Sequence, residues 1–468
     1  MKKKIFRILA LATLSTLFSC TDIDDQPNYS DRDVYDFVWK GLNKYYLYQE
    51  NVPNLNDSRF SNQNELDIFL NNYNKPETLF ESLLYNRGTI DRFSVIFNDY
   101  TKLEQVLSGS NDTNGMEYGV SLKTGSSTDV FGWVKYVMPN SDAASKNISR
   151  GTIFYAIDGI PLTMSNYQGL LNKTSYTLNL ADYNNGAITP NGQSVTLEKK
   201  PYTENPVFLT KTIDLGSKKV GYLMYNGFFS AFDTQLNEAF GSLKANGISD
   251  LVLDLRYNSG GSVATATRLA SMITGQFTGQ TFAKQQWNSK YMASTDPANL
   301  INPFTNTLGN GSAINSLGLS KVYILTTKST ASASELVING LKPYVNVIQI
   351  GRTTTGKNVG SITLYDSPNF QKQKLNPTHK YAMQPLVLKI VNKDGFGDYS
   401  SGLTPTYELA ENLANLGKLG EIDEPYLAKA LGLIQNIRLG IQKSKDFKTH
   451  EEIIDKSIRN LEMEMYID

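Results

Sequence analysis

From residue 219 onward the chain repeats one unit, a short apolar run followed by a stretch with helical spacing. Lys219-Val-Gly-Tyr-Leu-Met-Tyr225 reads as a strand, Phe232 to Lys244 puts Leu236, Phe240 and Leu243 on one helix face, and Leu251-Val-Leu-Asp-Leu255 reads as a buried strand. Two strands joined by a helix in this way form a parallel pair with a right-handed crossover. The same pattern returns as helix 263–273, strand 321–327, helix 332–342 and strand 345–350. It predicts an α/β core built on a parallel sheet. Strands at Tyr381 to Ile390 and helices from Tyr407 onward close this core, and Asp446 to Met465 reads as a charged amphipathic helix packed at the end.

The chain upstream is organised differently. Val34, Phe37, Val38, Leu42, Tyr45 and Tyr46 recur at helical spacing, and Asp67 to Leu70 and Pro76 to Leu84 suggest two further helices, with Pro76 suited to a first turn. From about 93 to 200 the signals become short strands broken by Gly, Asn and Ser: Gly119 to Leu122, Gly132 to Val137, Thr152 to Ile157 and Ser194 to Leu197, with one helix candidate at Ser141 to Lys146. The expected organisation is therefore multidomain: residues 1–20 a leader, 21–92 a tether and small helical module, 93–203 a β-domain, 204–435 the α/β core and 436–468 a C-terminal helix.

The first residues address the compartment. Lys2, Lys3, Lys4 and Arg7 precede a short apolar run, Ile8 to Phe18, which is too short to span a membrane and has the make-up of a secretory signal. Leu17-Phe18-Ser19-Cys20 resembles the lipobox of bacterial lipoproteins, in which the cysteine is lipidated. Cys20 is the single cysteine of the chain, which leaves no partner for a disulfide. The acidic stretch Asp22, Asp24 and Asp25 resembles surface-export signals of Bacteroidetes lipoproteins. The expected location is the cell envelope, with the chain held at the outer membrane by a lipid on Cys20. Lys+Arg and Asp+Glu are equal at 45 each, with no basic stripe, which argues against nucleic acid as a partner. One cysteine and two histidines, His379 and His450, leave a zinc or other transition-metal site nearly without ligands. His379 reads as a satisfied or solvent-facing residue and His450 as part of a charged surface tail. No cofactor is expected.

Ser332-Ala-Ser-Glu335 follows a strand at the start of a helix. Serine and glutamate at that spacing fit a capping box, the most economical reading of the motif alone. An oxygen at a helix N-terminus also feels the positive end of the dipole and nearby free N–H groups, which suit a nascent oxyanion. A serine nucleophile needs a base, and with histidine scarce and no thiol available a lysine is the candidate. Lys357, in Gly351-Arg-Thr-Thr-Thr-Gly-Lys357-Asn-Val-Gly360, stands 25 residues after Ser332 and follows a strand parallel to the one before it. Both then lie at the carboxyl edge of the sheet, where open α/β sheets place their sites. Acting as a base near neutrality requires a lysine pKa to fall from about 10.4 to about 7–8, which demands burial. The third element, Asp254-Leu-Arg-Tyr-Asn-Ser-Gly-Gly261, runs a buried strand into glycines whose backbone can approach a substrate closely. Gly260 or Gly261, with the Ala333 amide, would form an oxyanion hole.

These three elements together resemble the C-terminal processing peptidases, the tail-specific proteases of peptidase family S41. The match lies in Leu253 to Gly261, Thr330-Ala-Ser-Ala-Ser-Glu335 and Gly356-Lys357, in order and spacing. The resemblance covers about 93 to 435, and the opening helical module resembles that of Bacteroidetes members. It implies a ClpP/crotonase-like α/β protease core with Ser332 as nucleophile and Lys357 as general base. Many members place a glutamine four residues after the lysine. Here Ser361 stands there, so it is the candidate for the third role. Upstream, Pro139-Asn-Ser-Asp-Ala-Ala144 and Ser149 to Gly159 resemble a bacterial protease PDZ domain, which binds a peptide as an added strand and holds its carboxylate in a loop. Tyr118-Gly119-Val120-Ser121 is the candidate for that loop.

The function that follows is a serine endopeptidase whose protein or peptide substrates are captured near their C-terminus by the PDZ-like domain. The rival is a catalytically inactive, peptide-binding envelope lipoprotein of the same fold, which the glutamine departure favours. A glycan-handling surface lipoprotein comes third, since the chain has 27 tyrosines but no paired carboxylates at a recognisable site.

Overall fold

Strand residues 251 to 254 and 322 to 325 send alternate side chains to opposite faces of one sheet, and both faces are covered by apolar side chains. The structure, a computed structural model, describes residues 33–436, 452–453 and 465–467. The expected leader with Cys20, most of the tether, His450 and most of the C-terminal helix lie outside the described residues. Strands Val207–Asp214, Lys219–Tyr225, Asp250–Asp254, Lys321–Thr326, Asn346–Gly351 and Tyr407–Glu408 lie side by side in that order. All neighbours are parallel except the first, which is antiparallel at the edge. Leu251, Leu253, Val322 and Ile324 face helices Asp233–Ala245, Val263–Thr274 and Ala333–Leu341. Val252, Tyr323 and Leu325 face helix Pro425–Ile434 on the other side. A sheet covered on both faces explains why its strands read as near-continuous apolar runs.

A second sheet stands beside the first, with strands Gly261–Ser262, Met465–Tyr466, Val359–Ser361, Leu386–Asn392, Thr281–Trp287 and Ile301–Pro303 in that order. The helical module contains Asp33–Tyr45, Gln63–Leu70 and Pro76–Ser82, the last with Pro76 in its first turn. Its apolar cluster takes in Val38, Leu42, Leu79 and Phe80, and also Ala331, Val359 and Met383 of the core. The module is therefore packed into the α/β core.

Residues 116–198 form an antiparallel sheet of strands Met116–Leu122, Val130–Val137, Ile153–Ile157, Ser175–Asn184 and Ala187–Glu198. Helices Asp142–Ser145 and Tyr167–Leu171 accompany it. A partly buried ionic network joins this β-domain to the core. Arg150 meets Glu411 at 2.6 Å and donates to the Tyr257 hydroxyl at 2.6 Å, and Tyr257 donates to Glu411 at 2.5 Å. The fully buried Arg256 meets Asp254 at 2.8 Å and Glu424 at 2.7 Å.

The strands expected over 381–390 are Ala382–Gln384 and Leu386–Asn392, which lie on different sheets and are separated by Pro385, which has no amide to give to a ladder. Three sequence expectations are corrected. Tyr407 begins no helix: Tyr407–Glu408 pairs with Ile350 and Gly351 as an edge strand, and the helix starts at Pro425. Tyr118 to Ser121 form no loop; they pair with Val134 to Phe131 within a strand. Met465, expected at the end of a helix, is extended, because its backbone is taken into the second sheet.

Candidate active site

Strand Lys321–Thr326 and strand Asn346–Gly351 run parallel and in register, Thr326 opposite Gly351, so the segments that follow them emerge at one sheet edge. Ser332 ends the first of these segments and caps helix Ala333–Leu341 with φ 62° and ψ −117°. L-residues avoid that conformation, which costs about 1–3 kcal/mol and survives only where the surroundings enforce it. Ser332 and Glu335 are placed as in a capping box, and Glu335 accepts from the Ser332 amide at 2.8 Å. The Ser332 hydroxyl, however, is buried and has no hydrogen-bond partner among the described residues. Its neighbours are engaged: Thr330 donates to Leu255 O at 2.8 Å, Ser334 to Asn258 O at 3.1 Å, and Ser329 lies 3.5 Å from Glu452. Ser332 is thus set apart from the adjacent hydroxyls by geometry as well as by position in the motif.

Glu335 organises the site. Its Oε2 accepts from the backbone amides of both Ser332 and Lys357, each at 2.8 Å. Its Oε1 accepts from the Thr354 hydroxyl at 2.5 Å and the Gly356 amide at 2.7 Å. Burial pushes the Glu335 carboxyl above the ordinary carboxylate range, and these four hydrogen bonds oppose that rise. Lys357 is fully buried, and its Nζ stands 4.8 Å from the centre of the Phe93 ring. Arg92 holds the turn before it, donating to Gly356 O at 2.6 Å and Ser400 O at 3.2 Å. Asp91 fixes this pair in turn, accepting from the Phe93 and Ser94 amides at 3.1 and 2.9 Å and from the Tyr46 hydroxyl at 2.7 Å. Gly356 has φ 84°, and a Cβ there would lie 2.3 Å from Ser400 O, so the turn before Lys357 requires glycine.

The glycine loop closes over the serine. A Cβ on Gly260 would stand 2.6 Å from Ser332 Cβ, 2.9 Å from its Oγ and 3.2 Å from the Ala333 nitrogen. Gly260 is therefore needed for its lack of a side chain. Its amide already donates to Asn258 Oδ1 at 2.9 Å, which corrects the expectation that it points at an oxyanion. The Ala333 amide is the first of its helix and has no intrahelical acceptor, and Gly261 follows in the loop. Ser361 lies in strand Val359–Ser361 and its hydroxyl donates to Met465 O at 3.2 Å. A cavity of about 280 Å³ leads from the loop to the β-domain, lined by Tyr118, Lys135, Tyr257, Gly260, Gly261 and Tyr466. His379 is satisfied elsewhere, its Nε2 at 2.8 Å from Asp366.

Glu335, Arg92, Phe93 and Asn258 are site residues that the sequence reading did not assign. Glu335 stood in the motif but was accounted for as a cap. Arg92 and Phe93 lie some 260 residues before Lys357, and no local pattern connects them.

Residues 219–376 match the family described as peptidase family S41, and residues 33–95 match the peptidase S41 N-terminal domain. These two segments carry a likeness to peptidase family S41. The first match contains the glycine loop, Ser332, Glu335 and Lys357; the second contains Arg92 and Phe93. The chain is 25% identical over 276 residues to a carboxyl-terminal-processing protease of Picosynechococcus, covering 57% of the chain and 61% of that protein. It is 27% identical over 209 residues to the chloroplastic carboxyl-terminal-processing peptidase 2 of Arabidopsis thaliana, covering 41% and 37%. The aligned part thus spans less than two thirds of these relatives. A solved structure described as an S41 protease from Bacteroides fragilis superposes with a TM-score of 0.67 at 26% identity, covering 86% of the chain and 97% of its own. The photosystem II D1 C-terminal processing protease shares the fold, with a TM-score of 0.50 at 17% identity over 86% and 98% of the two chains.

Proposed function

We propose that this chain is a serine endopeptidase acting through Ser332 and Lys357. The observation that carries the reading is that one oxygen of Glu335 accepts from the backbone amides of both residues, which ties the segment bearing a buried hydroxyl, unpartnered among the described residues, to the segment bearing a buried lysine. In the neutral form, the Lys357 amine takes the Ser332 proton as Oγ attacks the scissile carbonyl. The amides of Ala333 and Gly261 receive the charge that develops on the carbonyl oxygen. Lys357 passes its proton to the leaving amine, and water then attacks the acyl-enzyme by the reverse sequence. Glu335 and Arg92 fix the backbone turn that carries Lys357, and Ser361 lies on the strand that follows it.

The β-domain serves as the PDZ-like capture module, with strand Met116–Leu122 as its peptide-binding edge. The chain acts at the cell envelope, held by a lipid on Cys20. Cleavage of casein or a quenched peptide is to be compared with Ser332→Ala and Lys357→Ala. Wild-type turnover lost in both supports the assignment, and turnover that survives both removes it. The rate should also fall on acidification as the base protonates.

A further inference from the structure

Two pieces of this chain beyond residue 450 lie on the strand edges that a substrate would use. Glu452 forms an antiparallel bridge with Ser121, and the Ile453 amide donates to Val120 O at 2.7 Å. The Ile453 side chain packs into the β-domain's apolar cluster, which includes Val120, Tyr167 and Leu170. The Glu452 carboxylate meets Lys135 Nζ at 2.7 Å, with Glu117 at 3.8 Å on the same ammonium. Lys135 is 1% exposed, and a cation so buried requires close anions. This is recognition by strand addition, in which backbone bonds give affinity and side-chain pockets give selectivity.

The second piece, Met465–Tyr466, is a strand parallel to Gly261–Ser262 on one side and to Val359–Ser361 on the other. It therefore lies between the glycine loop that covers Ser332 and the strand that leaves Lys357. Met465 is fully buried in the main apolar core, and its carbonyl accepts from the Ser361 hydroxyl at 3.2 Å. The Tyr466 hydroxyl donates to Leu107 O at 3.1 Å, and Tyr466 also lines the cavity that leads to the β-domain. The Ile467 amide donates to Ser361 O at 3.2 Å, and Ile467 packs against the same core.

We propose that Glu452–Ile453 and Met465–Ile467 are an intramolecular ligand of the two peptide-binding edges. The substrates, on the catalytic reading above, are extended peptides that displace it and present an apolar, an aromatic and a second apolar residue to the slot beside Ser332. The acidic–apolar pair Glu452–Ile453 marks the complementary preference of the β-domain groove, set by Lys135 and the cluster under Val120.

The experiment uses Ser332→Ala protein, so that binding is read without cleavage. A fluorescein-labelled peptide with the sequence of residues 451–468 is titrated into this protein with the 452–468 segment present and with it deleted, and anisotropy gives Kd. At least tenfold tighter binding to the deleted form is expected, and a labelled peptide with alanine for Tyr466 should bind at least tenfold more weakly. Equal or absent binding to the two proteins overturns the proposal, as does indifference to the tyrosine. Because Met465 is part of the core, the deletion is paired with a full-length Glu452→Lys/Tyr466→Ala variant, which should also bind the peptide at least tenfold more tightly than its parent. Casein turnover that survives Ser332→Ala and Lys357→Ala, with the binding difference intact, would remove the catalytic reading alone. Wild-type turnover that is lost in both substitutions, with no binding difference, would remove this proposal alone.

Discussion

The Lys357 amide donates to Glu335 at 2.8 Å, through the same carboxylate oxygen that accepts from the Ser332 amide. Both oxygens of Glu335 face donors only, so a glutamine there would set its NH2 group against two N–H or O–H groups. Glu335→Gln should reduce kcat by about a hundredfold, since an ångström-scale misplacement costs about that much. It should also lower stability by about 1–3 kcal/mol for the donors left unsatisfied. Steady-state kinetics and thermal unfolding check this, and an unchanged kcat in a folded variant would remove Glu335 from its positioning role.

Gly260→Ala is expected to abolish labelling of Ser332 by a fluorophosphonate probe while leaving the fold in place. The added Cβ would fall 2.9 Å from the Ser332 Oγ, at a residue with φ 122°. A circular dichroism spectrum like that of the parent, with labelling reduced by a factor of ten or more, is the expected pair of results.

Arg92→Ala removes the donor that clamps Gly356 O and Ser400 O, and Phe93→Ala removes the ring beneath the Lys357 ammonium. Each should lower kcat by about ten- to a hundredfold with a smaller change in KM, because both act on the lysine's placement and not on substrate contacts. A KM effect larger than the kcat effect would place these residues in substrate binding instead.

The network between the β-domain and the core should make stability depend on pH. Burial acts to raise the Glu411 carboxyl, but the charges of Arg150 and Arg256 and the hydrogen bond from Tyr257 outweigh it and hold the group below the usual range. A carboxyl depressed in the folded state stabilises above its unfolded value of about 4.5 and loses that contribution as pH falls through its folded value. Glu411→Gln should therefore lower stability at pH 7 by about 3 kcal/mol, the low end for breaking a buried pair, since the side chain keeps 12% exposure. The difference from wild type should shrink below pH 4.5 in denaturant titrations.

Strands such as Leu251 to Asp254 were readable in the sequence because both sheet faces are apolar and the runs are uninterrupted. The spacing of Ser332 and Lys357 was readable because parallel strands bring their carboxyl ends to one edge. Glu335 was half readable, since the residue that caps a helix is also the one that reaches the Lys357 turn, and only the fold shows the second use. Tyr407 misled because two residues pairing at a sheet edge carry no periodicity. Met465 misled because Asp446 to Met465 has an amphipathic pattern, yet the open slot between Gly261–Ser262 and Val359–Ser361 takes its backbone as a strand.

Ala331 belongs to the apolar cluster of the N-terminal helices, while Ala333, two residues on, belongs to that of the main sheet. Ser332 is therefore a stitch between two hydrophobic bodies, and its unfavourable φ is the tension in that stitch. Neither body alone can hold it. A chain in which only one body has condensed leaves Ser332 free to relax to an ordinary φ, so the backbone at this residue reports whether the two bodies have assembled.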